Sequence, residues 1–236
     1  MEGDPARRIA SFGRRSGRKL RPGQRDRIDD TLPARSIDLD IVRAEGPGVV
    51  FTPPPREVWL EIGFGAGEHV VWQAGHNPDV GIIACEVFRN GIVTCLRELD
   101  AAGLDNVRLY TEDARDLLDA LPDQSIDRAF ILFPDPWPKV RHHKRRLISP
   151  GTLDILSRLL VDGAELRLGT DDVPYLRVML AVACGHRDFE WLATRPSDWR
   201  IRPVDWPQTR YEAKAIEAGR PPAFLRLRRR PRQSAP

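Results

Sequence analysis

The sequence predicts one doubly wound α/β domain built on a mostly parallel, seven-stranded sheet with an antiparallel strand near one edge. Three observations carry that expectation. From Arg56 onward, short apolar runs alternate with helical patterns, and such alternation places helices on both faces of a parallel sheet. Three successive apolar runs, the first three, carry acids at their ends (Glu61, Glu86 and Asp113), at the carboxyl edge where sheets of this kind bind ligands. The chain has 236 residues and is 41% hydrophobic, enough for one sizeable core.

Taken in order, residues 1–30 are rich in Arg, Gly and Ser, almost without hydrophobic period, and are expected to form a flexible basic arm. The folded domain is expected over 31–228 and a basic tail over 229–236. Gly46-Pro47-Gly48 and Pro53-Pro54-Pro55 punctuate the approach to the first strand, at 58–62. A glycine-rich turn then leads into a helix over 68–75. The second strand is expected at 80–85, with a helix over 88–102 behind it, and the third at 107–110, with a helix over 114–121. The fourth, at 126–133, reads as fully buried. Ser149-Pro150 opens a helix to about residue 160, since Ser caps well and Pro fits the first helical position. Further strands are expected at 164–169, 189–193 and 223–227, with a helix over 173–184. No helix is expected between the last two strands, and the final one is expected to be antiparallel, at or near the edge. Right-handed crossovers leave few other topologies.

Composition narrows the function. The net charge of +3 resolves into +6 over residues 1–27, +5 over residues 226–236 and −8 between them. An acidic body with basic ends suits a polyanionic partner, although solvated tails would give the same pattern. No apolar run approaches the roughly 18 residues of a membrane span, and the first fifteen residues lack the apolar stretch of a secretory signal. Cys85, Cys95 and Cys184 lie far apart, without metal-ligand spacing. All three are expected as buried small hydrophobes in a reducing cytoplasm.

The chemistry begins at Leu60-Glu61-Ile62-Gly63-Phe64-Gly65-Ala66-Gly67-Glu68. Alternate glycines let a strand turn sharply into a helix while the backbone approaches a ligand. The spacing is neither the dinucleotide fingerprint nor a P-loop. It resembles motif I of class I methyltransferases, where a carboxylate such as Glu61 suits the cationic amino-acid tail of S-adenosylmethionine. Glu86 ends the second strand, where an acid accepts hydrogen bonds from ribose hydroxyls. Asp113 follows the third strand, the place that commonly receives an adenine amino group in this fold; a lone acid there is also an ordinary helix cap.

After the fourth strand comes Phe133-Pro134-Asp135-Pro136-Trp137-Pro138-Lys139-Val140-Arg141-His142-His143-Lys144-Arg145-Arg146. Three prolines in five residues stiffen the loop and fix where Asp135 points. Five of the eight residues 139–146 are Lys or Arg, a density that suits a phosphodiester backbone. His142 and His143 have no acid or Cys at ligand spacing and no metal is expected. Trp59, Trp72 and Trp191 read as core, whereas Trp137, Trp199 and Trp206 lie in loops and are candidates to stack on a base.

This stretch resembles the signature of the bacterial tRNA (guanine-N7)-methyltransferase family. Gly169-Thr170-Asp171-Asp172-Val173-Pro174-Tyr175 and Thr209-Arg210-Tyr211-Glu212 resemble two further blocks of the family, and Ser11-Phe12-Gly13-Arg14-Arg15 its basic N-terminal stretch. The resemblance implies S-adenosylmethionine as cofactor, contacted by Glu61, Gly63, Gly65, Gly67, Glu86, Asp113 and Asp135. It implies tRNA as partner, with substrate contacts at Lys139, Asp171, Thr209, Arg210, Tyr211 and Glu212. Asp135 is the implied catalytic position. Arg141, Lys144, Arg145 and Arg146 are expected on the RNA backbone. The segment 202–208 is richer in Trp and Pro than the family pattern, and Pro138 occupies a variable position. No membrane and no obligatory protein partner are expected. An NAD-dependent oxidoreductase and an RNA-binding protein on a methyltransferase fold are the alternatives; the glycine spacing opposes the first, and the complete motif set the second.

Overall fold

A computed structural model describes residues 15–233. Its single sheet has seven strands in the order β3-β2-β1-β4-β5-β7-β6. These are β1 (Glu57–Ile62), β2 (Val80–Cys85), β3 (Val107–Tyr110), β4 (Ile126–Leu132), β5 (Leu160–Thr170), β6 (Phe189–Trp191) and β7 (Ala223–Arg229). The pairs among the first five are parallel, and β7 runs antiparallel to both β5 and β6. It therefore sits one strand in from the edge, as expected for a doubly wound sheet with a reversed strand near its margin.

Each parallel connection carries a helix, in order α3 (Glu68–His76), α4 (Arg89–Ala102), α5 (Ala114–Ala120) and α6 (Pro150–Leu159), with α7 (Val173–Gly185) leading to β6. Two apolar clusters, one on each face of the sheet, contain Leu60, Ile131 and Leu168 on one side and Trp59, Phe130 and Phe224 on the other. Ser149 caps α6 by accepting from the Thr152 amide, as its Ser-Pro start requires. Among the described residues, no helix is long and apolar enough to cross a membrane.

Four expectations need correction. Residues 22–30 belong not to an arm but to a helix, α1 (Pro22–Arg35), followed by α2 (Leu39–Glu45). The first of these shows no apolar period because only Ile28 and Leu32 pack on the core. Ion pairs hold the rest: Arg27 to Asp100 at 2.7 Å, Arg35 to the same carboxylate at 3.3 Å. Residues 1–14 and 234–236, with most of the expected arm, lie outside the described residues.

The second correction concerns the segment between β6 and β7, which contains α8 (Ser197–Arg200) and α9 (Arg210–Glu217). Third, the basic tail is turned inward. Arg226 pairs with Glu165 at 2.6 Å, buried Arg229 donates to the Ser157 carbonyl at 2.9 Å, and Arg232 grips Asp162 and three carbonyls around the end of α6. These cations are spent within the chain and are poor candidates for a polyanion. Fourth, Cys184 is exposed, whereas Cys85 and Cys95 are buried and burial pushes both thiols far up.

Candidate active site

The turn after β1 holds Gly63, Gly65 and Gly67 at φ +81°, +60° and +87°, a region L side chains rarely adopt. Gly67 is constrained twice, because a Cβ there would lie 2.6 Å from Cys95 Sγ. A second close approach had no motif to announce it: a Cβ on Gly91, in the first turn of α4, would lie 2.0 Å from the Gly65 carbonyl oxygen. The glycine turn and α4 thus touch backbone to backbone.

Glu86, just past β2, clamps this turn. Its carboxylate accepts from Gly65 N at 2.8 Å, Val87 N at 2.8 Å and Phe88 N at 2.9 Å. A carboxylate has about four acceptor positions, so room for a further donor remains. Burial pushes its carboxyl upward, the three amides oppose this, and the charge of Asp135 adds to the rise. Asp113 caps α5 and is gripped by both ends of the Arg115 guanidinium, a partner the sequence reading missed. Glu61, 2% exposed, receives His69 Nδ1 at 2.6 Å.

The proline-framed loop is held in an uncommon backbone state. Phe133 and Trp137 have φ of +51° and +43°, which for non-glycine residues costs on the order of 1–3 kcal/mol each and is held only by surrounding structure. Part of the brace is visible. Arg146 Nε donates to the Pro136 carbonyl at 2.7 Å, and its guanidinium lies 5.0 Å from the Tyr175 ring centre. The Tyr175 hydroxyl accepts from the Ile148 amide at 3.0 Å, and burial drives its pKa up to about 12. Arg145 lies over Trp137 at 5.0 Å. Arg145 and Arg146 are therefore half-buried and brace the loop. Asp135, Lys139, Arg141 and Lys144 are exposed.

Thr209 caps α9 by accepting from the Glu212 amide, which turns Glu212 inward to 3% exposure. One Glu212 oxygen accepts from Arg202 Nε at 3.0 Å, while the other, Oε2, is buried without a partner. Burial raises this carboxyl and Arg202 counters the rise. Arg210 pairs with Glu68. Tyr211 places its ring against Gly65, 3.0 Å from where a Cβ would stand. Asp171, at the end of β5, is held by Arg220 at 2.8 Å. Trp206 is fully buried between His69 and Phe224, so it is not a stacking candidate. Of the tryptophans expected in the core, Trp59 is buried while Trp72 and Trp191 are only half-buried.

One cavity joins three of these segments: it is lined by Glu61, Gly63, Phe64, Glu68, His69, Leu132, Phe133, Thr209 and Tyr211. The glycine turn, the start of the proline loop and the first turn of α9 meet there. Neither Glu86 nor Asp135 lines it, although the charge of Asp135 acts on Glu86. Of the other expected site residues, Gly65, Gly67, Asp113, Lys139, Asp171, Arg210 and Glu212 do not line it either.

Comparison with known proteins agrees with this geometry. Residues 55–225 match the family described as "Putative methyltransferase". The chain is 48% identical over its whole length to a tRNA (guanine-N(7)-)-methyltransferase of Rhodospirillum rubrum, covering 94% of that protein. It is 47% identical to one of Ruegeria pomeroyi, over 92% of this chain and 93% of the relative. Among solved structures, an rRNA methylase from Streptococcus thermophilus superposes at TM-score 0.51 with 15% identity, over 74% of this chain and 87% of that one. A precorrin-6y C5,15-methyltransferase from Geobacter metallireducens does so at 0.50 with 18% identity, over 75% and 81%. The fold is that of methyltransferases, and because RNA and small-molecule enzymes share it, the fold alone selects no substrate.

Proposed function

The chain belongs to the family of tRNA (guanine-N7)-methyltransferases, and we propose that it transfers a methyl group from S-adenosylmethionine to N7 of a guanine in the variable loop of tRNA. The observation that carries this reading is the cavity in which the glycine turn, the proline loop and the 209–212 block meet. The cofactor supplies an electrophilic methyl group on a sulfonium centre. The residues present fit it. A Cβ on Gly63 would meet no atom within 4 Å, leaving an open cradle at the cavity wall, and Glu61 and Glu86 stand at the ends of neighbouring strands to take its ammonium and a ribose hydroxyl.

Guanine N7 carries a lone pair and no proton, so no general base is needed, and alignment of the reacting atoms supplies much of the rate. The partnerless Glu212 Oε2 is assigned to the donors on the guanine base, which adenine does not present in the same pattern. Asp135 is assigned to orientation and to stabilising the positive charge that develops on the ring. Since tRNA is the substrate, the site of action is the cytoplasm. The test is transfer of labelled methyl from S-adenosylmethionine to unmodified tRNA, followed by nucleoside mass spectrometry. A 7-methylguanosine product, lost when the variable-loop guanine is replaced, is expected; any other methylated nucleoside overturns the substrate assignment.

Two predictions arise here. Arg141 and Lys144 are the exposed cations assigned to phosphates, so Arg141→Ala/Lys144→Ala is expected to raise the KM for tRNA and keep kcat. A plot of log affinity against log salt should then flatten by roughly 0.7–0.9 per lost contact. An unchanged slope excludes them as phosphate ligands. The second concerns Glu86. Ribose binds its ionised form, so affinity is full above the pKa of the free enzyme and falls as pH drops through it. Because burial raises that pKa, cofactor affinity is expected to weaken at a higher pH than an exposed glutamate would dictate. In Glu86→Gln this acid limb should vanish; calorimetry across pH that finds it intact rejects the assignment.

A further inference from the structure

We propose that His69 and Gln73 are positioning residues for the methyl donor, orienting the Glu61 carboxylate and tying it to the 202–209 loop that leads into the substrate block. The inference rests on the assignment of Glu61 to the cofactor's ammonium. Both polar side chains sit on α3 at 2% exposure, and His69 faces Phe130 and Trp206, where an apolar residue would need no partner. Buried polar groups are costly unless bonded, and these are bonded in an unbroken line.

The line has a direction. Gln73 Nε2 donates to the Asp205 carbonyl at 2.8 Å and stands 3.1 Å from His69 Nε2. Gln73 Oε1 accepts from Asn77 Nδ2 at 3.2 Å. The amide is thereby oriented from both ends, with its two hydrogens toward Asp205 and His69. His69 Nε2 must accept, so the ring hydrogen is on Nδ1 and is donated to Glu61 at 2.6 Å. A second hydrogen on Nε2 would face the amide hydrogens of Gln73. The imidazole therefore fixes the carboxylate as a neutral donor and leaves its negative charge available for a cationic ligand. An arginine or lysine in its place would cancel that charge.

The far end of the line bears on the substrate side. Asp205 is also gripped by buried Arg167 on β5, Nη2 to Oδ2 at 2.6 Å, which ties the loop to the sheet beside Trp206. Four residues on, Thr209 caps α9 and lines the same cavity as Glu61. The rotamer of Glu61 and the seat of the loop are thus set by one hydrogen-bonded unit, which no sequence motif marks.

The test measures S-adenosylmethionine affinity by calorimetry in the full-length protein. His69→Leu is expected to raise Kd about tenfold, the value of one charge-assisted hydrogen bond. His69→Asn, whose amide nitrogen stands near the position of Nδ1, should restore affinity to within about threefold of wild type. In the Glu61→Gln background, His69→Leu should add less than about twofold, since the group it acts through is gone. Equal losses in both backgrounds, or no loss in either, overturn the proposal. An unchanged Kd in Glu61→Gln alone overturns the assignment of Glu61 instead. The ¹⁵N spectrum of histidine-labelled protein, with His69 identified by its loss in His69→Asn, gives a reading independent of cofactor. A protonated Nδ1 and bare Nε2 are expected, and the opposite tautomer overturns the proposal even if His69→Leu does not fold.

Discussion

Replacing Asp135 with asparagine is expected to lower kcat about a hundredfold or more, the range seen when one preorganised electrostatic group is removed, while cofactor Kd changes little. Asp135 projects from a loop fixed by Pro134, Pro136 and the Arg146 bond to the Pro136 carbonyl, so its substitution should leave the loop in place. Asparagine keeps an acceptor of similar shape but has no charge to favour the cation formed on the ring. A loss confined to kcat therefore identifies electrostatic stabilisation of the transition state. An unchanged kcat sinks the assignment, and a collapse in cofactor affinity moves Asp135 to the cofactor alone. Arg146→Ala should lower kcat by a different route, because it removes the brace that holds Trp137 and Phe133 at positive φ. The two are separable: the Arg146 variant should also melt earlier.

Strand positions were legible because the inner strands are buried on both faces and read as unbroken apolar runs. Val80–Cys85, buried along its whole length, has the predicted bounds; so does the edge strand Val107–Tyr110, where buried Val107 and Leu109 alternate with half-buried Arg108 and Tyr110. The first helix was not legible, since ion pairs to Asp100 do the docking that an apolar stripe usually does. The last helix, α9, was hidden for the opposite reason: its residues were read as a substrate motif, although Thr209 with an acid three residues later is an ordinary helix start. In the site, glycine and proline motifs placed the loops, but the partners that orient the acids were invisible. Arg115 on Asp113, His69 on Glu61 and Arg202 on Glu212 lie within ten residues and Arg220 on Asp171 comes from 49 residues away, but no motif in the sequence pairs these side chains. The same blindness made the basic tail look free, whereas Arg226, Arg229 and Arg232 are consumed internally.

Gly91→Ala tests how far cofactor binding depends on the contact between α4 and the glycine turn. By helix propensity alone, alanine should stabilise α4 by up to about 1 kcal/mol. Against this stands a Cβ placed 2.0 Å from the Gly65 carbonyl oxygen, an overlap with backbone that no rotamer relieves. Gly65 cannot retreat freely, since its amide is held by Glu86 at 2.8 Å and its other side faces Tyr211. Overpacking of this kind costs about 1–3 kcal/mol or more, so the net effect is destabilising and falls on the segment that receives the cofactor. The melting temperature is expected to drop by about 2–4 °C per kcal/mol lost, and cofactor Kd to rise at least about tenfold, equivalent to about 1.4 kcal/mol. Gly75→Ala supplies the contrast: a Cβ at this exposed position near the end of α3 meets no atom within 4 Å, so the same substitution should stabilise slightly and leave Kd alone. If Gly91→Ala binds cofactor as wild type does, the turn can shift without consequence, and the close approach is a packing detail rather than part of the site.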